Sequence, residues 1–327
     1  MVSSNCNYGF ANIGVGCMPL FAVAQKIFFV PTFNSLGVRN KIDTTVAFNQ
    51  ALLDAAVNNS DPSQRWYPSP FLKNASNMRG ESLKESFDDS TSVITQQAPR
   101  KFSAKIIAED ASPQLLGILL TGRPVPMSIF VIDKNGNMHV SRSGPVSTDA
   151  YPIRIDNNTI DPVFNPGEDK TVQKIDLGFD VHVSEQDANL QMISNDEMNG
   201  ADVINAVGLK DVSPIYSAIA TSTSPKSLVV QFNTIAGTMK TPVTVKGLVA
   251  ANFLGNTNTA SRAYDITAAA DVTITSVTEG TDVNGKPSGI YTIVFSATIT
   301  AADKVRFKLT LNGFDFSLVY ANPFASV

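Results

Sequence analysis

Strict alternation of apolar and polar residues runs through the middle of the chain. Between 171 and 184, Ile175, Leu177, Phe179, Val181 and Val183 take one parity, and Lys174, Asp176, Asp180, His182 and Ser184 take the other. Period two over that length predicts a strand with one buried and one wet face. The same parity separates Phe102, Ala104, Ile106 and Ala108 from Lys101, Ser103 and Lys105. In 82–95 it sets Leu83, Phe87 and Val93 against Lys84, Ser86, Asp88, Ser90 and Ser92. Residues 25–32 read as a first strand stopped by Pro31. Residues 126–132, the turn Asp133-Lys134-Asn135-Gly136-Asn137 and residues 138–141 predict a hairpin. Helical spacing occurs at 43–57, where Asp43 can cap and Val46, Leu52, Leu53, Ala56 and Val57 recur. A shorter helix is predicted at 112–121, opened by Ser112-Pro113 and followed by Gly122.

Residues 58–81 break the pattern. They form a polar stretch with three prolines and the only tryptophan, Trp66, beside Tyr67 and close to Phe71. A structureless loop of that length is usually functional or interfacial. The polar segment 195–213, with Gly208 and then Pro214, predicts a boundary between domains 1–208 and 209–327. Beyond it, strands are expected at 215–221, 227–233, 241–246, 271–278, 289–299, 304–311 and 314–320. Asn312-Gly313 predicts that the last two form a hairpin. Seven short strands are the number of an immunoglobulin-like sandwich, although the Cys…Trp…Cys signature of antibody domains is absent.

Composition narrows the function classes. A length of 327 residues fits two domains, and 43% apolar residues supply a sizeable core. The net charge of −4 leaves no basic footprint for nucleic acid and no polybasic membrane patch. Residues 1–210 carry 17 basic and 22 acidic side chains, and residues 211–327 carry 8 and 7, so the acidic excess lies in the first part. Cys6 and Cys17 are too few for a disulfide framework and are expected to be reduced thiols. Ala22-Val23-Ala24 imitates a signal-peptidase site, but no basic residue precedes Lys26, and Gly14, Gly16 and Pro19 interrupt the apolar run. A soluble protein used without export is the expectation.

Each near-match to a catalytic or ligand motif fails at a particular residue. Gly280 to Lys286 has the spacing of a phosphate-binding loop, yet Pro287 stands where Ser or Thr must hold magnesium, and predicted strands flank it. Gly14-Val15-Gly16 meets Pro19 where a dinucleotide fingerprint needs glycine. Asp133 to Asn137 resembles a calcium loop without the Glu at its twelfth position. The two histidines, His139 and His182, lie on separate predicted strands. Neighbouring acids such as Asp88-Asp89 and Glu168-Asp169 would point to opposite strand faces. No catalytic residue, cofactor or metal site is expected, and the chain reads as a non-enzyme.

Four segments carry a resemblance: KIFFVPT, ESLKESFDDSTSVITQQAPRKFSAKI, SIFVIDKNGNMHV and KTVQKIDLGFDVHVSEQDANLQMI. In this order they resemble phage tail-tube proteins over roughly residues 20–195, about half the chain. The Thr/Val-rich remainder resembles the immunoglobulin-like modules that decorate phage tails and capsids. The resemblance implies a mainly β protein: a tube-domain β-sandwich or barrel with a flanking helix, then an immunoglobulin-like sandwich. It also implies homo-hexameric rings stacked into the tail tube of a virion, assembled in the host cytoplasm, with no membrane partner. DNA would pass without specific binding, and a sheath, a tape-measure protein and a tail terminator are the expected neighbours. Lys84, Ser86, Asp88, Ser90, Asp176 and Asp180 become candidates for the lumen, because a polar, acidic face does not grip phosphates. Trp66, Tyr67 and Phe71 become candidates for an arm between subunits, since such residues dominate interface energetics. On that reading Trp66→Ala leaves a folded subunit that assembles poorly. Three alternatives remain open: a capsid or tail decoration protein, a carbohydrate-binding adhesin, and the inner tube of a phage-derived injection system.

Overall fold

In the computed structural model, the described residues are 22–315 except 60, 89–90, 97, 112, 122–124, 144–147, 186, 217–226, 238–241, 266–267, 298–304 and 312–313. Cys6 and Cys17 therefore lie outside the described residues. The protein is mainly β, and it divides into two compact units, Met1–Gly208 and Leu209–Val327. No helix among the described residues is long and apolar enough to cross a membrane.

The first unit opens with β1 (Ala24–Pro31), and β2 (Ile42–Asp43) and β3 (Tyr67–Pro68) flank helix α1 (Gln50–Val57). Next come β4 (Lys73–Arg79), β5 (Leu83–Ser86), β6 (Ser92–Gln96) and β7 (Arg100–Ile107), then α2 (Pro113–Thr121). β8 (Met127–Asp133), β9 (Met138–Ser141), β10 (Asp149–Ala150), β11 (Ile153–Asn165), β12 (Lys174–Val181) and β13 (Leu190–Ile193) complete the unit. The main sheet has the order β13-β9-β8-β11-β12-β7-β4, with β1 also pairing β8.

β1 and β8 have no alternation because both their faces are buried. Ile27, Ile129 and Val131 belong to one core; Phe28, Val30, Phe130 and Ile132 belong to the other. The first core meets the dry face of β7, β11 and β12, whose Phe102, Ile106, Ile175, Leu177 and Phe179 carry the predicted parity. Val183 departs from it: it lies beyond β12 and is 86% exposed. The second core is covered by Leu53 and Val57 of α1, by Trp66 and by Met198, Ala201 and Val203.

β11, which carries no clean period, is the strand that turns the corner. Ile153 and Arg154 pair with β8, whereas Asp161 to Asn165 pair with β12. The ladder slips between Asp156 and Asp161. Thr159 Oγ1 fills the gap, accepting from the Asp180 N–H at 2.7 Å and donating to the Asp156 carbonyl at 2.7 Å. Such bulges are how one sheet folds over itself.

The helix expected over 43–57 is shorter than its apolar spacing. Asp43 is committed to a turn, accepting from the Thr45 N–H (2.9 Å) and hydroxyl (2.6 Å). The N-cap is Asn49, whose Oδ1 accepts from the Leu52 N–H at 3.0 Å, and Val46 is exposed. Ser112 and Gly122, expected to bound the second helix, lie outside the described residues.

The second unit contains β14 (Lys210–Tyr216), β15 (Ser227–Gly237), β16 (Pro242–Thr244), β17 (Phe253–Leu254) and β18 (Arg262–Asp265). β19 (Ala270–Thr281), β20 (Pro287–Phe295), β21 (Val305–Arg306), β22 (Lys308–Leu309) and β23 (Phe314–Asp315) follow. Its larger sheet runs β21-β18-β19-β20-β15-β14-β23, and β17 pairs β22 separately. One core of Phe232, Phe253, Tyr291, Phe295, Phe307 and their aliphatic neighbours fills it. Among the described residues the flanks of Asn312-Gly313 do not pair with each other: β22 pairs with β17 and β23 runs parallel to β14, while the dipeptide and residues 316–320 of the expected second strand lie outside the described residues. Of the segment Gly280 to Lys286, Gly280 and Thr281 end β19 and the rest is the turn into β20, clasped by Asp282, whose Oδ1 accepts from the N–H groups of Asn284 (2.8 Å) and Lys286 (2.9 Å).

Candidate assembly surface

The residues expected to form an aromatic arm do not form one. Trp66 is 7% exposed and packs in the second core, its ring centroid 4.9 Å from Phe130, 5.9 Å from Phe28 and 6.2 Å from Phe48. The Trp66 backbone N–H donates to the Ala56 carbonyl at 3.0 Å, tying the residue to α1. Tyr67 lies in β3 opposite Phe29, with its hydroxyl on the Pro62 carbonyl at 3.1 Å. Phe71 is half-buried beneath the Lys26 ammonium, 5.0 Å from its ring centroid. Residues 58–81 include the whole of β3 and β4 and are not a free loop.

The projecting element lies later in the chain. β4 and β7 are antiparallel neighbours, and the same hairpin continues as β5 and β6, which among the described residues pair only with each other. Gly80 and Pro99 mark the junction. Pro99 has no N–H for the ladder, and a Cβ on Gly80 would stand 3.2 Å from Ala98 Cβ. The junction is pinned to the body: Arg79 and Arg100 grip Asp187 at 2.9 and 2.8 Å. Burial opposes ionisation of Asp187, but the two guanidinium groups outweigh it and lower its pKa.

The 82–95 segment is thus a two-stranded ribbon and not one strand of a covered sheet. Lys84 to Asp88 and Thr91 to Thr95 are all exposed. Phe87 and Val93, expected on the dry face, are 47% and 55% exposed, and the side chain of Leu83, expected beside them, lies outside the described residues; Ile94 is also exposed, at 56%. Glu85 stands opposite Val93 and Lys84 opposite Ile94, so apolar groups occur on both ribbon faces. Fully burying each would contribute about 1.5–3 kcal/mol. An isolated two-stranded hairpin is only marginally stable.

The candidate lumen residues fall in two places. Lys84, Ser86 and Asp88 are on this ribbon, and Ser90 lies outside the described residues. Asp176 and Asp180 are on the wet face of the β11-β12-β7-β4 sheet. That face is not acidic overall, because lysines interleave with its carboxylates. Asp176 is 4.0 Å from Lys105 and 3.9 Å from Lys174, and Asp180 is opposite Lys101 in the ladder.

The Asp133 turn is held by several hydrogen bonds to one carboxylate. Asp133 is fully buried, and its Oδ1 accepts from the N–H groups of Asn135 (2.8 Å) and Asn137 (3.0 Å). His139 Nε2 stands 3.4 Å from Oδ2, which also accepts from Asn137 Nδ2 at 3.0 Å. Burial alone would raise this carboxyl pKa; the hydrogen bonds from His139, Asn137 and Asn135 bring it down to about 2. His182 is elsewhere, 2.8 Å from the Ser184 hydroxyl. Among the described residues, no group of three or more His, Cys, Asp and Glu side chains is placed to hold a metal ion.

The chain matches no protein-family model. No curated protein matches it either.

Proposed function

We propose that this protein is a structural subunit of a phage tail, whose first unit assembles into stacked six-fold rings that conduct DNA. The observation that carries the self-assembly is the ribbon of β5 and β6, which extends beyond its sheet with Phe87, Val93 and Ile94 uncovered. Exposed apolar groups on a marginal hairpin favour burial against another chain. The six-fold ring and the virion location rest on the resemblance of the four segments. The wet face of β12 supports passage of DNA, because lysines paired with carboxylates hold phosphates weakly.

The second unit is, on this reading, an outward immunoglobulin-like module. Phe232, Phe253, Tyr291, Phe295 and Phe307 are buried, so none of these aromatics offers a platform for sugar, which argues against the adhesin. A sheath, a tape-measure protein and a tail terminator are the partners this role requires. The test is negative-stain microscopy of the purified full-length chain. Six-fold rings or tubes are the expected result; a monomer at high concentration overturns the proposal, and a trimer favours a decoration protein. An injection-system tube would form the same rings, and the neighbouring genes separate it from a virion tail.

A further inference from the structure

The first unit contains an open cleft of about 450 Å³ where the folded sheet parts. Phe102, Ile129, Val131, Ile153, Val181 and Leu190 contribute to its walls. A second lobe of about 420 Å³ shares Val131, Ile153 and Leu190 with it. These volumes are in the range that takes a side chain or a small ligand. The mouth carries charges of both signs: Arg79 and Arg100 stand on the half-exposed carboxylate of Asp187, and Arg79 also donates to the Ala98 carbonyl at 3.0 Å. Glu185 adds a negative charge at the mouth, but it is engaged by Arg39 at 3.2 Å and by the Ser141 hydroxyl at 2.6 Å.

We propose that this cleft receives the ribbon tip of a second copy of the chain, with Phe87 on the apolar walls and Asp88 at Arg79 and Arg100. The proposal rests on the self-assembly reading above and names its contact. Three observations favour the chain itself as occupant. The tip offers the complementary chemistry, an exposed aromatic followed by a carboxylate. Ala98 and Pro99, at the root of the ribbon, line the cleft of their own subunit. Phe87 follows eight residues after Arg79, roughly 25 Å along an extended strand. The tip and the cleft mouth are therefore separate surfaces of one subunit. Donor and acceptor are different surfaces, so the contact is head-to-tail; it propagates into rings or filaments and does not close as a two-fold pair.

The contact is tested by cross-linking the full-length chain with Cys6 and Cys17 replaced by Ser. Ser86→Cys, exposed beside Phe87 on β5, is combined with Val183→Cys, which lines the cleft and is 86% exposed, so Phe87 and Asp88 are kept and neither thiol disturbs a buried group. Mild oxidation should give a ladder of covalent oligomers in the double variant. Ser86→Cys alone should stop at dimers. Phe87→Ser and Asp88→Arg should each raise the concentration needed for assembly at least tenfold. If the double variant forms no ladder while the parent assembles normally, the tip-in-cleft contact is wrong and the tube reading stands. A parent that never assembles overturns both.

Discussion

Two β-hairpins of the first unit carry similar strand signals and end in opposite surroundings. In β8–β9, Ile129 to Ile132, Met138 and Val140 are buried, and Asp133 ties down the turn with its own carboxylate. In β5–β6, Phe87, Val93 and Ile94 remain exposed, and the Phe87 N–H reaches the Thr91 carbonyl across the turn at 2.9 Å. Alternation tells which side chains share a face. It does not tell whether the chain itself covers that face. An uncovered face on an ordered element calls for another molecule.

The largest expected effect is on the buried side of this comparison. Trp66→Ala removes the ring that Phe28, Phe48 and Phe130 surround, and should cost about 3–5 kcal/mol. Thermal unfolding measures it, and a loss below about 1 kcal/mol would contradict the core placement. This reverses the expectation that the variant folds and only assembles poorly.

Next is the Asp133 clasp. Its folded pKa, about 2, lies below the ordinary 3.8, so the unfolded chain takes up its proton first as pH falls. The clasp therefore stabilises fully above 3.8, and that contribution fades as pH drops towards about 2. The difference corresponds to about 2 kcal/mol. Asp133→Asn should be less stable than the parent at neutral pH and should flatten the acid limb of a denaturation series. An unchanged acid limb would show that the turn is not clasped by charge.

Lys26→Met probes the same hairpin from behind, since Lys26 stands opposite Ile132 in the β1–β8 ladder. Its ammonium donates to the carbonyls of Ile204 and Ala206. Freeing those carbonyls should cost about 1–3 kcal/mol in denaturant unfolding. The smallest stability effect belongs to the ribbon. Phe87→Ser with Val93→Ser should change the stability of the isolated subunit by within about 0.5 kcal/mol. A drop as large as that of Trp66→Ala would mean the ribbon is part of its own core, and the contrast would collapse.

The strands with strict period two were legible, because a sheet with one dry face enforces it: Ile175, Leu177 and Phe179 are buried as their parity requires. β11 was not legible, since Asn157, Asn158 and Thr159 interrupt its period at the bulge where the sheet turns. The helix start was misread because Asp43 and Asn49 are both capping types, and only the pairing of β2 with β10 commits Asp43 elsewhere. The surface was misread for a related reason. Aromatic content marked Trp66 as an interface residue, but its neighbours in the fold are distant in sequence: Phe28, Phe48 and Phe130. Phe87 and Val93 had the parity of buried residues and lacked only a cover.

The most direct test of self-assembly through the ribbon is sedimentation of the full-length chain beside a variant with residues 82–96 replaced by Gly-Gly. The expected result is a concentration-dependent high-mass species for the parent and a folded monomer for the variant. Identical sedimentation of the two, whether both assemble or both stay monomeric, would contradict it.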